Sequence, residues 1–220
     1  MLLQGVVSDP SSAAAADGTT NAINMGRAND VILSMVHGGK YFQQCYRGNI
    51  FYASTATTGV VIPISSTLTP TYSIWNPAGS GRLCVPIVTL IGWTATTSAL
   101  GSYVWQATTN AGSTFTTAAP IQAFGTGTPL NAYTGSGKVS QIRAATGGTT
   151  TLAAASTFFR ETGIQLTLTT AATSNAAGWV WRDEWEGMSI IPPGNCVHLL
   201  GTTAIATTVT VTTVFEEIPV

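Results

Sequence analysis

The chain has 220 residues, enough for one domain with a sizeable core, and a formal net charge of −1. Apolar residues make up 45% of it but charged residues only 8%, where an ordinary soluble domain has about 25%. The sequence has neither the basic cluster of a nucleic-acid-binding protein nor a continuous apolar stretch that could span a membrane, so neither nucleic acid nor membrane is expected as a partner.

Residues 1–30 differ in composition from the rest of the chain. They contain a run of alanines at 13–16, flanked by Ser, Asp, Gly and Asn. A segment of this kind has no apolar face of its own to bury. It predicts an N-terminal arm over 1–30, either flexible or ordered against a neighbouring subunit, ahead of a β domain over 31–220.

From residue 31 onward, short apolar runs alternate with turn residues, which is typical of β-hairpins. The predicted runs cover 31–36, 41–46, 50–53, 60–64, 72–75, 82–93, 103–107, 164–169, 178–185, 188–191, 197–200 and 205–217. The Gly- and Thr-rich stretch around 108–160 predicts long loops between short strands. Ten or so strands without an amphipathic helix of ordinary length indicate an all-β fold, a jelly-roll-like β-sandwich.

Two of these runs allow more specific predictions about the strands that they form. In 82–93, Pro86 predicts an edge strand or a bulge, because proline cannot donate to a β-ladder. In the last run, residues two apart share a face of the strand. One face carries apolar side chains and the other carries hydroxyls: Ile205, Val209, Val211 and Phe215 against Thr208, Thr210 and Thr212.

Two turn-rich stretches resemble a known group of proteins. They are SIWNPAGSGR at 73–82 and IPPGN at 191–195, the latter followed by a strand and a closing FEEIP at 215–219. Together they resemble jelly-roll virion proteins of tailed phages, a group that includes capsid decoration (cement) proteins and fibre or spike head domains. The resemblance covers about residues 70–220. It implies a jelly roll that is frequently trimeric and sits on a capsid or tail, and it implies no catalytic residues.

The densest functional-looking cluster lies at residues 179–186. On a strand, four of its side chains share one face: Trp179, Trp181, Asp183 and Trp185. Arg182, Glu184 and Glu186 lie on the other face. The indoles fit a sandwich core or a subunit interface, and they also fit a sugar-stacking platform. A glycosidase would need a second carboxyl across a cleft, for which Glu216 and Glu217 are the candidates.

The remaining reactive residues predict no chemistry. His37 lies beside two glycines and is expected in a turn, and His198 is expected as a packed strand residue. The three cysteines are far apart and odd in number, which argues against a disulfide framework. We expect Cys45, Cys84 and Cys196 to be buried thiols. No metal or other cofactor is predicted, and a Cys196/His198 metal pair is disfavoured because no second pair is evident.

These features together predict a structural protein rather than an enzyme. A surface with so few charges has little with which to hold its copies apart. We expect a capsid decoration protein of a phage-type virion, assembled in the host cytoplasm. Its expected partners are itself, as a homotrimer, and the major capsid protein or another virion protein. The alternative is a fibre or spike head domain that binds a host-surface glycan.

Overall fold

The computed structural model describes residues 40–94, 101–115, 129–146, 150–166, 180–204 and 207–220. The chain divides into two compact units, Met1–Arg47 and Gly48–Val220. The predicted arm over 1–30 lies outside the described residues, as do His37 and the predicted run at 31–36. The described strands all belong to the second unit.

The described residues of the second unit form thirteen strands. In chain order they are β1 (Ile50–Ser54), β2 (Val60–Val61), β3 (Tyr72–Asn76), β4 (Arg82–Trp93), β5 (Gly101–Thr109), β6 (Thr114–Phe115), β7 (Leu130–Asn131), β8 (Arg143–Thr146), β9 (Thr150–Thr151), β10 (Thr157–Leu166), β11 (Val180–Glu184), β12 (Asn195–Gly201) and β13 (Thr208–Pro219).

The strands form two antiparallel sheets packed face to face, which confirms the predicted all-β sandwich. The first sheet has the order β11-β4-β13-β1-β7, with β2 also paired to β13, and the second has the order β10-β5-β12-β3-β8. The small strands β6 and β9 pair separately. Among the eight main strands, β1, β3, β4 and β5 pair with β13, β12, β11 and β10 respectively. This nesting of the first four strands with the last four is the jelly-roll arrangement.

The inward faces of both sheets form one apolar core. On β13 the predicted alternation is confirmed: Val209, Val211 and Phe215 are fully buried, whereas Thr208, Thr210 and Thr212 are only half-buried. Ile205 lies outside the described residues. Across the core, the Trp105 ring on β5 meets the Trp185 ring edge-on at 5.0 Å. Burial of such large aromatic side chains is a main source of stabilisation for a fold with few charges.

A chain of hydrogen bonds also crosses the core. Trp185 Nε1 donates to Thr89 Oγ1 at 3.2 Å, and Thr89 Oγ1 lies 3.0 Å from Thr213 Oγ1. The Tyr72 hydroxyl lies 2.8 Å from Thr213 Oγ1 and 3.1 Å from the Ala53 carbonyl oxygen. Because the indole N–H only donates and the carbonyl only accepts, the three hydroxyls are satisfied when each donates toward Ala53. The network links β3 of the second sheet to β1, β4 and β13 of the first.

The two turn-rich stretches at 73–82 and 191–195 contact each other. The buried Asn76 amide donates to the carbonyl oxygens of Arg82 and Ile191, at 2.7 and 2.9 Å. The Gly194 N–H donates to the Asn76 carbonyl oxygen at 2.8 Å. Gly81 and Gly194 have φ values of 63° and 84°, which only glycine adopts without strain. The two turns are therefore held together by Asn76.

The prediction of a β run at 41–46 is wrong. Phe42–Tyr46 forms a five-residue helix, α1, in the described part of the first unit. The Cys45 N–H donates to the Tyr41 carbonyl oxygen at 2.9 Å, and the Phe42 and Tyr46 rings stack with centroids 6.2 Å apart. Phe42, Cys45 and Tyr46 recur at helical spacing, which outweighs the β propensity of the aromatic residues.

Other strand predictions hold in part. Pro86 does mark a bulge, seen as a register shift where β13 passes it, but β4 is a central strand and not an edge. The run at 188–191 contributes only a bridge between Ile191 and Cys84. The loops predicted around 108–160 also include β8, which adds a strand to the second sheet.

Candidate functional site

The predicted aromatic cluster lies on an edge of the first sheet. Strand β11 pairs with β4 and, among the described residues, with no other strand. Asp183 is only 3% exposed and pairs with the buried Thr89, whereas Arg182 and Glu184 point outward and form an exposed ion pair of 2.7 Å. The predicted alternation fits Arg182, Asp183 and Glu184, whereas Trp181, which was expected on the face of Asp183, is exposed. Trp179 lies outside the described residues.

Asp183 is held by two side chains from the second sheet. Trp105 Nε1 on β5 donates to Asp183 Oδ2 at 2.9 Å, and the Arg160 guanidinium on β10 contacts Asp183 Oδ1 at 2.5 Å. The Arg160 side chain is 24% exposed. Burial raises the pKa of Asp183, while the hydrogen bond from Trp105 and the charge of Arg160 oppose this rise. Through both of its oxygens, the Asp183 carboxylate therefore links β11, at the edge of the first sheet, to β5 and β10 of the second sheet.

Trp185 belongs to the same cluster but is completely buried. Its ring lies under the Arg160 guanidinium, whose central carbon is 4.5 Å from the ring centroid. This is the geometry of a cation–π contact. The Phe159 ring on β10 packs at 6.1 Å from Trp185 and remains partly exposed. Trp185 therefore fills the core, as the core interpretation of the indoles predicted.

Among the described members of the cluster, Trp181 reaches solvent, with 39% of its side chain exposed. Asp183 and Trp185 are covered, so the three residues do not form an open stacking platform in this chain. Sequence reasoning missed Trp105 and Arg160, which lie 78 and 23 positions from Asp183. The antiparallel jelly-roll pairing brings them together, and no local pattern in the sequence signals it.

The carboxylate of the second candidate acid, Glu217, is engaged in hydrogen bonds that stabilise the fold. Glu217 is buried, and its carboxylate accepts hydrogen bonds from the Ser140 hydroxyl and from the N–H groups of Gln141 at 3.0 Å and Ile142 at 3.2 Å. It anchors the loop before β8 to the last strand, whereas its neighbour Glu216 is half-buried, and burial raises the pKa of Glu216.

Asp183 and Glu217 are too far apart to act on one bond. On β4, Asp183 lies opposite Thr89 and Glu217 opposite Cys84, from strands on the two sides of β4. Five residues along a strand and two strand spacings across the sheet separate the two carboxyls by roughly 20 Å. Glycoside hydrolysis needs carboxyls about 5–9.5 Å apart. These two acids therefore do not form a glycosidase pair.

A shallow cleft of about 190 Å³ lies beside Glu217, with Arg82, Lys138 and Gln141 in its lining. The Lys138 ammonium donates to the Asn49 amide oxygen at 3.4 Å. The only acid in the cleft lining is the hydrogen-bonded Glu217. The cleft contains no nucleophile–base pair.

His198 is a packed strand residue, as predicted. It is fully buried, with Nδ1 at 2.8 Å from Ser73 Oγ and Nε2 at 3.4 Å from Cys196 Sγ. Burial lowers the pKa of His198 to about 4 and raises the pKa of Cys196 to about 12. A neutral imidazole beside a protonated thiol is not an activated nucleophile.

The other two cysteines are also free thiols. Cys84 is buried as expected, whereas Cys45 is only partly buried. In the described ranges, no three His, Cys, Asp or Glu side chains converge in a way that could hold a metal ion. The described part of the chain also has no helix with the length and apolar character needed to cross a membrane.

Comparison with known proteins gives no relative for this chain: no family model, curated protein or solved structure matches it.

Proposed function

We propose that this chain is a structural protein of a tailed-phage virion, a capsid decoration protein that acts by self-association and by contact with the shell. The observation that carries the proposal is a contrast between two classes of side chain. The reactive side chains described above as buried and hydrogen-bonded are Asp183, Glu217, His198 and Cys196. By contrast, several large apolar side chains are exposed on the surface of a chain with few charges.

One group of exposed apolar side chains lies at one edge of the sandwich. Val180 is 66% exposed on β11, and Phe158, Phe159 and Trp181 are also exposed on β10 and β11. The Arg160–Asp183 contact places these two edge strands side by side. Exposed apolar clusters of this kind mark interaction surfaces in soluble proteins. With charged residues at 8% of the chain, little electrostatic repulsion opposes association there.

Electron microscopy of immunogold-labelled particles tests this role, using virions produced from the genome that encodes the chain. A decoration protein labels the head at many symmetric positions and contributes no lytic or hydrolytic activity. Absence of the chain from purified virions would overturn the proposal.

The exposed Trp181 favours a second candidate, a fibre or spike head domain that binds a host-surface glycan. This candidate predicts labelling at the tail rather than the head. It also predicts binding to a glycan array that is lost in Trp181→Ala and kept in Tyr133→Ala, a control that removes an exposed aromatic ring from the loop that follows β7. An array without signal for the wild-type chain leaves the decoration role as the better account.

A further inference from the structure

Edge strand β11 has a charge pattern that is complementary to itself. Arg182 and Glu184 both lie on its outward face, 64% and 52% exposed, with Asp183 between them on the inward face. Edge strands in monomeric proteins are commonly protected by charges that repel a second edge. Here the two signs are placed symmetrically about one residue, which is the requirement for attraction between two copies.

We infer that two copies of this chain pair antiparallel through β11, around a two-fold axis perpendicular to the sheet at Asp183. In that register Arg182 lies opposite Glu184 of the partner subunit, and the same contact recurs on the other side of the axis. Opposite charges directly across an antiparallel pair stabilise it. A two-fold axis makes each favourable contact occur twice, because the interface is isologous.

Other registers of the same pairing are less favourable. Shifting the axis by one residue, to Arg182 or to Glu184, places two like charges directly opposite each other, which destabilises the pair. In the register centred on Asp183, the two Asp183 positions meet on the inward face. Each of these carboxylates is already compensated by Arg160 and by the Trp105 N–H within its own chain.

Replacing the Arg182–Glu184 contact within one chain by the same contact between two chains costs little free energy. The Arg182–Glu184 ion pair within one chain is exposed on both sides, and exposed ion pairs contribute little to stability. Pairing also covers exposed apolar surface, because Val180 and Trp181 lie on β11 and Phe158 and Phe159 on the adjoining edge strand β10. Backbone pairing, charge and apolar burial therefore favour the same contact.

This inference rests on the proposed function in one respect, since that function requires self-association. It adds that the contact forms through β11 and that the contact has two-fold symmetry. A two-fold contact gives an even number of copies: a dimer alone, or a hexamer if a separate three-fold contact forms the expected trimer.

Native mass spectrometry of charge-swapped variants tests the contact. In Arg182→Glu and in Glu184→Arg, like charges face each other across the axis, so each variant alone should have half the wild-type mass. A 1:1 mixture should regain the wild-type mass as heteromers, because Glu at position 182 of one variant then faces Arg at 184 of the other. The double variant Arg182→Glu/Glu184→Arg should associate like the wild type. Within a single chain both single variants remain repulsive, so recovery on mixing reports contact between chains.

Val139→Glu is the matched control. Val139 is exposed and lines the cleft beside Asn49 and Phe51, at the opposite edge of the first sheet, so this variant adds a charge without touching β11. It should keep the wild-type mass. Circular dichroism checks that all variants are folded. A wild-type oligomer whose mass the single variants leave unchanged, or a wild-type trimer, overturns the β11 contact alone. A monomeric wild type overturns both the contact and the proposed self-association.

Discussion

Asp183 shows how a buried acid can serve the fold rather than a reaction. Its carboxylate receives the Trp105 indole N–H and the Arg160 guanidinium, and the guanidinium also covers the Trp185 ring. Removing one partner of a buried charge pair leaves a charge without compensation, which costs more than the pair contributes when intact. The same strand carries an exposed ion pair, Arg182–Glu184, that provides an internal comparison.

Arg160→Met should therefore destabilise the protein more than Arg182→Met. We expect a loss of about 2–3 kcal/mol for Arg160→Met, less than for a fully buried pair because Arg160 is partly exposed. We expect a smaller loss for Arg182→Met, because its ion pair with Glu184 within the chain is exposed. Urea unfolding of the two variants at pH 7 measures both values. Equal losses would contradict the structural role of Asp183.

His198 predicts a dependence of stability on pH. Its pKa is lowered from 6.5 to about 4, so below pH 6.5 the unfolded chain binds a proton that the folded chain excludes. The free energy of unfolding therefore falls as the pH falls through this window. Between pH 7.5 and pH 5 the loss due to this residue is roughly 2 kcal/mol, at about 1.4 kcal/mol per pH unit below 6.5.

The measurement compares urea unfolding of the wild type and His198→Gln at these two pH values. Gln keeps a polar group for the Ser73 hydroxyl but does not titrate. The wild type should lose roughly 2 kcal/mol more than the variant. The difference between the proteins is the readout, because Asp183, whose pKa is raised, gains stability on protonation and acts in the opposite direction in both. An identical loss in the two proteins would show that His198 is not excluded from protonation by the fold.

At the scale of elements, the predictable strands were those with one buried face. Alternation along β13 identifies its inward side chains because residues two apart share a face. Residues 41–46 carry β-forming aromatics, yet form α1 because Phe42 and Tyr46 stack one turn apart. The partners of Asp183 and the loop anchored by Glu217 depend on contacts far apart in sequence, and no local propensity encodes such contacts.

Gly59 and Gly81 both lie in turns with a left-handed backbone conformation, but an added Cβ would meet a neighbour only at Gly59. Alanine substitution at the two positions therefore distinguishes the cost of backbone strain from the cost of a steric clash. Gly59, between β1 and β2, has φ 72°, and a Cβ there would lie 2.7 Å from the Val209 carbonyl oxygen on β13. Gly81 has φ 63°, and a Cβ there would meet nothing within 4 Å. Gly81→Ala should cost about 1–2 kcal/mol for the backbone conformation alone.

Gly59→Ala should cost roughly 1–3 kcal/mol more, because β13 or the turn must also move. Thermal unfolding of the two variants measures the difference. If Gly59→Ala were as stable as Gly81→Ala, the turn between β1 and β2 would not pack against β13 as described.

Across the whole molecule, this jelly roll with few charges buries hydrogen-bonded polar groups and leaves some apolar side chains exposed. Inside, Tyr72, Thr213 and Thr89 form a directed chain of hydrogen bonds, and Asp183 and Glu217 are each satisfied by several donors. Outside, apolar side chains remain uncovered along β10 and β11. The buried hydrogen-bond network favours one well-defined fold, and an apolar edge favours association.

Sedimentation velocity of the purified full-length chain, over a hundredfold range of concentration reaching down to about 1 μM, measures that association directly. We expect an oligomer with an even number of copies that persists at the lowest concentration. A chain that sediments as a single folded subunit at every concentration would contradict this expectation.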